Sequence, residues 1–113
     1  MVVGAAAAAQ DAPLVTGGAT GIGAEIGRAL AAFERDGGPG VAANADLTDP
    51  GAGAVQTMVD LVRAEIGPID IPVDNAGSYT RVAWQETDEA AWNYSLDVNL
   101  TAHYRTCHAV TPA

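Results

Sequence analysis

The sequence predicts an α/β fold, in which parallel strands alternate with helices along one small domain. A short apolar run, Leu14 and Val15, precedes a glycine-rich turn and then a helical pattern. Two further apolar runs, residues 41–46 and 68–77, each follow a helical segment. Such alternation favours a parallel sheet, because each crossover needs a helix to return the chain to the same edge. At 113 residues the chain has room for one core.

The first helix is predicted directly after the glycine turn. Its apolar side chains recur at helical spacing, and glycines with a proline stop it within residues 36–40. The spaced set comprises Ile22, Ile26, Ala29, Leu30 and Phe33. The strand prediction for residues 41–46 is weaker, because alanine is a poor strand former.

A second helix is predicted to begin near Asp49 and Pro50, an N-cap followed by a first-turn proline, and to end at Gly67. Its predicted buried stripe comprises Val55, Met58, Val59, Val62 and Ile66. The apolar run 68–77 then predicts a second parallel strand. Pro72 is unfavourable inside that strand, because proline donates nothing to a strand ladder. Pro13 poses the same difficulty at the first strand.

A third helical region is predicted to open at Thr87, which Asp88 and Glu89 follow. Six of its side chains lie near one face: Trp92, Leu96, Leu100, His103, Cys107 and Val110. Trp84 and Trp92 are interpreted as packing residues rather than as a stacking platform for a cofactor.

Composition argues against several partners. Fourteen acidic residues face five basic ones, all arginines, and the net charge of −9 disfavours nucleic acid and anionic membranes. Residues 1–11 are predicted to be a flexible N-terminal tail. The apolar part of this segment lacks a basic region and is too short to span a bilayer, so a signal peptide is only the alternative. Cys107 is the only cysteine, which suits a cytoplasmic location.

The turn TGGATGIG, residues 16–23, has the properties of a phosphate-binding loop. Glycines let the backbone approach a pyrophosphate, and the helix that follows presents unpaired N–H groups and a positive dipole end. The alternative is a tight turn that serves packing alone.

Four motifs in order resemble the short-chain dehydrogenase/reductase family. They are T-G-x-x-x-G-I-G at 16–23, Asp46-Leu47-Thr48, Asn75-Ala76-Gly77 and Asp97-Val98-Asn99-Leu100. The resemblance runs from about residue 12 to the end of the chain and corresponds to the N-terminal part of a typical member. It implies a partial, Rossmann-like dinucleotide-binding domain over 12–113, with a parallel sheet and flanking helices. The second βα unit and the C-terminal strands of the family are expected to be missing, so the domain is predicted to be truncated.

The resemblance also implies roles for individual residues. The pyrophosphate would contact Gly17, Gly21, Ile22 and Gly23, with Ile22 anchoring the first helical turn and Thr16 and Thr20 bracing the loop. The adenine would contact Asp46 and Leu47, and the ribose would be bordered by Asn75, Ala76 and Gly77. Asn99 matches the asparagine that holds a water in the family's proton relay. A hydrogen bond within the core is the alternative role for Asn99.

The adenosine ribose has no obvious acidic partner. Dinucleotide-binding folds place that residue about 20 positions after the glycine loop, whereas the family places it at the end of the second strand, which is missing. Either the strand before Asp46 takes the place of the missing second strand, which brings Asp46 to the ribose, or nothing contacts the ribose. The expected cofactor is NAD or NADP, and the lack of a basic residue at 18–20 favours NAD.

The implied activity is NAD(P)-dependent hydride transfer between the nicotinamide and an alcohol or carbonyl substrate. The family uses a tyrosine with a lysine four residues later, and this chain has no lysine, so alone it is predicted to be inactive. Tyr104 and His108 share that spacing but are interpreted as helix-surface residues. His103 and Cys107 offer two metal ligands without a third, so no metal site is predicted.

Two other functions stay open at this stage. One is a non-catalytic module that binds a nucleotide or pairs with another chain, as a homo- or hetero-oligomer. The pairing surface would be the helical region 87–110 or the unpaired edge of the strand within 69–73. The other is a fragment without a function of its own.

Asp74 replaces the asparagine usual in the family and places a carboxylate at a buried turn.

Overall fold

The computed structural model describes residues 2–6, 13–33, 40–51 and 53–111. Its strands are β1 (Val2–Ala6), β2 (Pro13–Val15), β3 (Gly40–Asn44) and β4 (Ile71–Val73). Its helices are α1 (Gly21–Phe33), α2 (Gly53–Glu65), α3 (Glu89–Leu96) and α4 (Ala102–Val110). A 3₁₀ turn covers Trp84–Glu86, and a π-helical turn, Asp97–Thr101, joins α3 to α4. The predicted α/β class is confirmed.

The four strands form one sheet in the order β3-β1-β2-β4. β4 runs parallel to β2, whereas β1 is antiparallel to both β2 and β3. The three strands that the sequence predicted therefore all run in the same direction. Their carboxyl ends share one edge of the sheet.

Residues 2–6 form a strand, so the prediction of a flexible tail over residues 1–11 is wrong for them. Val2–Ala6 form a central strand, in which Gly4 pairs with Val15 on one side and with Ala42 on the other. Dinucleotide-binding sheets are ordered third, second, first, fourth strand, so β1 stands in the place of the second strand and runs the opposite way. Without that strand the facing backbone groups of β2 and β3 would lack partners, and β1 supplies them. Residues 7–11 lie outside the described residues.

This arrangement also decides how β3 sits relative to β2. β1 lies between them, so β3 has not moved up to a place beside β2. The suggestion that Asp46 reaches the ribose through such a shift is therefore wrong.

The core lies between the sheet and the helices α2 and α4. Four residues of the predicted α2 stripe, Val55, Met58, Val59 and Val62, are buried, and Ile66 packs against them. The remaining core residues are Leu14, Ala43, Ala45, Leu47, Ala76, Ala102, Ala109 and Val110. The pattern of the second helix predicted this core correctly.

Local backbone hydrogen bonding explains where α2 and α3 begin and why the two strand prolines are tolerated. The Asp49 carboxylate accepts a hydrogen bond from the Ala54 amide at 3.0 Å, and Asp88 accepts one from Ala91 at 2.7 Å. Asp88 is the N-cap of α3, one residue after the predicted opening at Thr87. The prediction of Asp49 as an N-cap with Pro50 in the first turn is wrong, because α2 begins only at Gly53. Pro13 is the first residue of β2, and Pro72 lies in the edge strand β4. Both are positions where a missing N–H is tolerated.

Two helical faces are more exposed than their patterns suggest. On α1, which packs against β1 and β2, Ile22 is 75% exposed. The predicted role of Ile22 as an anchor of the first turn is therefore wrong, because no element covers that end of α1 among the described residues. From α3 to α4 the core-facing residues are Val98, Ala102, Thr106, Ala109 and Val110.

In the described ranges, no helix combines the length and apolar character needed to cross a bilayer.

Candidate functional site

The candidate site lies at the carboxyl edge of the sheet. From β2 the chain passes through α1 to β3 on one side, and it returns through α2 to β4 on the other side. Such a reversal creates a crevice between the loops that follow the two central parallel strands, where α/β sheets bind ligands. The loops after β2 and β4 carry the predicted site residues 16–23 and 75–77.

Thr16 ties these two loops together. Its side chain is buried, and its Oγ1 accepts hydrogen bonds from the Asn75 amide at 3.1 Å and the Ala76 amide at 3.0 Å. Asn75 Nδ2 donates in return to the carbonyl oxygens of Thr16, at 3.1 Å, and Gly17, at 3.3 Å. The glycine turn is therefore held in one position relative to β4.

The three motif glycines serve different purposes. Gly17 and Gly21 adopt φ values of 67° and 58°, a region that favours glycine. A Cβ on Gly23 would overlap the Gly17 carbonyl oxygen and Asn75 Nδ2, so close packing excludes any larger residue there. A Cβ on Gly21 would meet nothing within 4 Å. The first amides of α1 begin at this open position and lack partners inside the helix.

A first cleft lies between the two loops and has a volume of about 430 Å³. We call it the turn cleft. It is lined by Gly17, Thr20, Asn75, Ala76, Gly77, Ser78 and Tyr94. It thus brings together five residues that the resemblance assigned to a dinucleotide, Gly17, Thr20 and Asn75 to Gly77.

A second cleft of about 480 Å³ lies beside the end of β3. We call it the β3 cleft, and its lining comprises Ala45, Asp46, Leu47, Thr48, Tyr94 and Val98. Asp46 Oδ1 accepts hydrogen bonds from the Thr48 hydroxyl at 2.6 Å and the Thr48 amide at 2.9 Å. These bonds lower the pKa of the Asp46 carboxyl below its ordinary value. A charged carboxylate therefore stands at this cleft at neutral pH.

Asn99 holds the floor of the turn cleft. Its Nδ2 donates to the Ser78 carbonyl at 2.7 Å and to the Ser95 carbonyl at 3.0 Å, and its Oδ1 accepts from the Ser78 amide at 3.1 Å. Asn99 lies within the π-helical turn, a feature often found at functional sites. These contacts match the alternative role, hydrogen bonding within the fold. The role in a proton relay stays a prediction.

Arg105 performs a similar function at the β3 cleft, and the sequence analysis missed it. Its guanidinium donates to the Leu47 carbonyl and pairs with Asp97, both at 2.9 Å. The contact joins α4 to the loop after β3. The only signal in the sequence was the spacing of Asp97 and Arg105, which places them two helical turns apart.

Asp74 contacts the two side chains considered as metal ligands. Cys107 Sγ donates to Asp74 Oδ2 at 3.2 Å, and His103 Nδ1 lies 3.6 Å from Asp74 Oδ1. The hydrogen bond to Asp74, followed by burial and the Asp74 charge, raises the pKa of the Cys107 thiol. Within the described part of the chain, no three such side chains are arranged to hold a metal ion.

The remaining candidates lie at the surface. The rings of Tyr104 and His108 are tilted by 43° with their centroids 5.8 Å apart, and both residues are exposed. Trp84 and Trp92 are 79% and 53% exposed. Their interpretation as packing residues is wrong, because α3 buries none of its side chains and the 3₁₀ turn before it is exposed.

Comparison with known proteins decides the family. The sequence model for short chain dehydrogenases matches residues 31–113. The chain belongs to the short-chain dehydrogenase family. The matched segment holds the motifs at Asp46, Asn75 and Asn99, while the glycine turn precedes it.

Individual members of the family show how much of a relative the chain covers. D-threitol dehydrogenase of Mycolicibacterium smegmatis is 33% identical over 86% of this chain and 45% of its own length. The 3-oxoacyl-[acyl-carrier-protein] reductase FabG of Escherichia coli is 29% identical over 88% of this chain and 48% of its own. The ligand-free structure of Thermoplasma acidophilum aldohexose dehydrogenase superposes with a TM-score of 0.71 at 25% identity, over 85% of this chain and 41% of that chain.

The chain thus spans about half the length of these curated relatives. The alignment with D-threitol dehydrogenase extends over 118 positions, more than the 113 residues of this chain. It therefore opens gaps within this chain. The missing internal unit stays a prediction.

Proposed function

We propose that this chain binds a nicotinamide dinucleotide at the carboxyl edge of its sheet. The proposal rests on the position of the turn cleft and the β3 cleft. They adjoin each other beside the open N-terminus of α1 and together form one groove. The combined groove suits an elongated ligand with a negative centre, because the α1 amides favour an anion. The family supports this assignment, since its members use such cofactors.

The residues of the groove fit the parts of such a ligand. Gly21 offers no side chain where the pyrophosphate would approach, and the buried Thr16 holds the turn rigid. Leu47 and Val98 are largely buried but line the β3 cleft, where the adenine would lie, while Asn75 to Gly77 border the turn cleft. When bound, the nicotinamide would supply or accept the hydride. The residues of this chain bind and orient the cofactor.

The same groove favours NAD over NADP. The side chains that line its two clefts include no arginine, and Asp46 is their one carboxylate. The hydrogen bonds from Thr48 keep Asp46 charged, and a 2′-phosphate close to it would be repelled. The sequence had favoured NAD only through the lack of a basic residue at 18–20.

We further propose that the activity of the whole protein is hydride transfer between NAD(P) and an alcohol or carbonyl substrate. The family transfers the proton through a tyrosine whose pKa is lowered by a lysine. These 113 residues contain no lysine. On their own they therefore bind the cofactor without turning it over.

Isothermal titration of the full chain with NAD tests the proposed function. We expect saturable binding by the original sequence, weaker binding of NADP, and loss of NAD binding in Gly21→Asp. The Cβ of residue 21 has open space, and aspartate is among the residues that tolerate a left-handed φ such as 58°, so we expect a folded variant whose carboxylate repels the pyrophosphate.

Two variants separate charge from backbone strain in this titration. Gly21→Asn has nearly the same shape as Gly21→Asp without its charge, and we expect it to retain most of the affinity. Gly51→Asp places the same carboxylate at another open glycine of positive φ, 85°, away from the groove. Equal NAD affinity in Gly21→Asp and the original chain would refute the proposal.

A second candidate function, pairing with another chain, rests on a row of exposed apolar side chains. The row comprises Trp92, Leu96, Leu100 and Tyr104, which follow one another at intervals of four residues and are 40–66% exposed. Ile71 in β4 is also exposed, at 41%. Within the described residues, the outer edge of β4 also has no strand beside it. Open edges and exposed apolar patches favour association. Sedimentation of a purely monomeric species at high protein concentration would exclude self-pairing.

A further inference from the structure

Tyr94 lies where the two clefts of the groove meet. It is the one residue that lines both the turn cleft and the β3 cleft. Its side chain is 48% exposed, and its hydroxyl has no hydrogen-bond partner among the described residues. About half of the side chain is therefore open to a ligand, and no hydrogen bond of its hydroxyl within the described residues accounts for its position. A ligand that occupies both clefts must pass it.

The backbone beneath Tyr94 is fixed from both sides. The Asp97 amide donates to the carbonyl oxygens of Asn93 and Tyr94 where α3 passes into the π-helical turn. On one side, Asn99 binds the Ser78 backbone of the turn cleft. On the other side, Arg105 binds the Leu47 carbonyl of the β3 cleft. The helix that carries Tyr94 is thereby tied to both loops.

Val98 defines which part of a dinucleotide Tyr94 would meet. It follows Tyr94 by four residues, it is buried, and it lines the β3 cleft with Leu47. A half-exposed aromatic ring at this cleft is suited to the flat face of a purine. Aromatic rings gain stacking energy from any base, because every base has a π face.

We propose that Tyr94 is a positioning residue for the adenosine half of the dinucleotide, which it holds by contact between its ring and the adenine. This inference rests on the proposed function and adds a residue to it. The ring, rather than the hydroxyl, provides the binding. Tyr94 also separates the adenosine half from the part of the ligand in the turn cleft.

Titrations of Tyr94 variants with NAD, AMP and nicotinamide mononucleotide test this inference. For Tyr94→Ala we expect NAD and AMP to bind roughly 10- to 100-fold more weakly, which corresponds to the loss of one base stack. The affinity for nicotinamide mononucleotide should not change. Tyr94→Phe should bind all three ligands within about twofold of the original chain, because it keeps the ring.

Trp84→Ala is the matched control, since it removes an aromatic side chain that is 79% exposed and lines neither cleft. Circular dichroism verifies the fold of each variant, and Tyr94→Leu replaces Tyr94→Ala if the latter unfolds. Unchanged AMP affinity in the folded variant would overturn the inference, as would an equal loss for nicotinamide mononucleotide. If the original chain binds AMP through Tyr94 but not NAD, the proposed function fails while the adenosine contact stands. If it binds neither, both fail.

Discussion

Gly23→Ala is expected to destabilise the fold by about 2–4 kcal/mol and to abolish dinucleotide binding. The new Cβ would overlap the Gly17 carbonyl oxygen and Asn75 Nδ2, and it would lie 2.9 Å from the Gly17 carbonyl carbon. Backbone cannot yield as a flexible side chain does, so the turn must shift. The shift also breaks the two hydrogen bonds that Asn75 Nδ2 donates to the turn.

Urea unfolding followed by circular dichroism measures this loss, and NAD titration measures the effect on binding. Gly27→Ala is the control, because it lies in the same helix and its Cβ would meet nothing within 4 Å. Alanine is the better helix former, so we expect Gly27→Ala to stabilise the chain by about 0.5–1 kcal/mol. Equal stability of the two variants would show that the turn does not pack on α1 as described.

Thr16→Val is expected to lower the free energy of unfolding by about 2–4 kcal/mol, because two backbone amides lose their hydrogen-bond acceptor. The Thr16 hydroxyl is the hydrogen-bond partner of the Asn75 and Ala76 amides. Valine has nearly the same shape, so the core keeps its packing while these donors stay unsatisfied. The loop after β4 would then separate from the glycine turn, and NAD binding should weaken with it.

Thr106→Val provides the contrast in the same unfolding experiment. Thr16 and Thr106 are each 1% exposed. Thr106, however, donates its hydroxyl to the Ala102 carbonyl, which the helix backbone already engages. Its replacement leaves no unsatisfied group, and we expect a change below about 1 kcal/mol. A similar loss for both variants would contradict the proposed role of Thr16.

The sequence predicted most of the fold that local rules control. The apolar spacing of Val55 to Val62 identified the helix that covers the sheet, and Thr87 to Glu89 marked the start of α3 to within two residues. The glycine turn was predictable because positive φ and close backbone contact both require glycine at particular places. Gly17 and Gly23 each meet such a requirement.

The rest depended on tertiary contacts that no local pattern expresses. β1 was missed because Val2–Ala6 reads as a short run of small residues, and its partners β2 and β3 come later in the chain. Arg105 and Tyr94 were missed because the π-helical turn decides which residues face the clefts. The exposure of Ile22 reflects the lack of a covering element within the described ranges rather than the character of its own helix.

The most direct test of the central claim is to map NAD onto the chain through its backbone amide signals in nuclear magnetic resonance. We expect shifts confined to the glycine turn, residues 16–23, to the loops at 45–48 and 75–78, and to the surroundings of Tyr94. Signals of α2, which faces the core away from the groove, should stay in place. Shifts centred on α2, or none in a folded chain at saturating NAD, would contradict the assignment of a dinucleotide site.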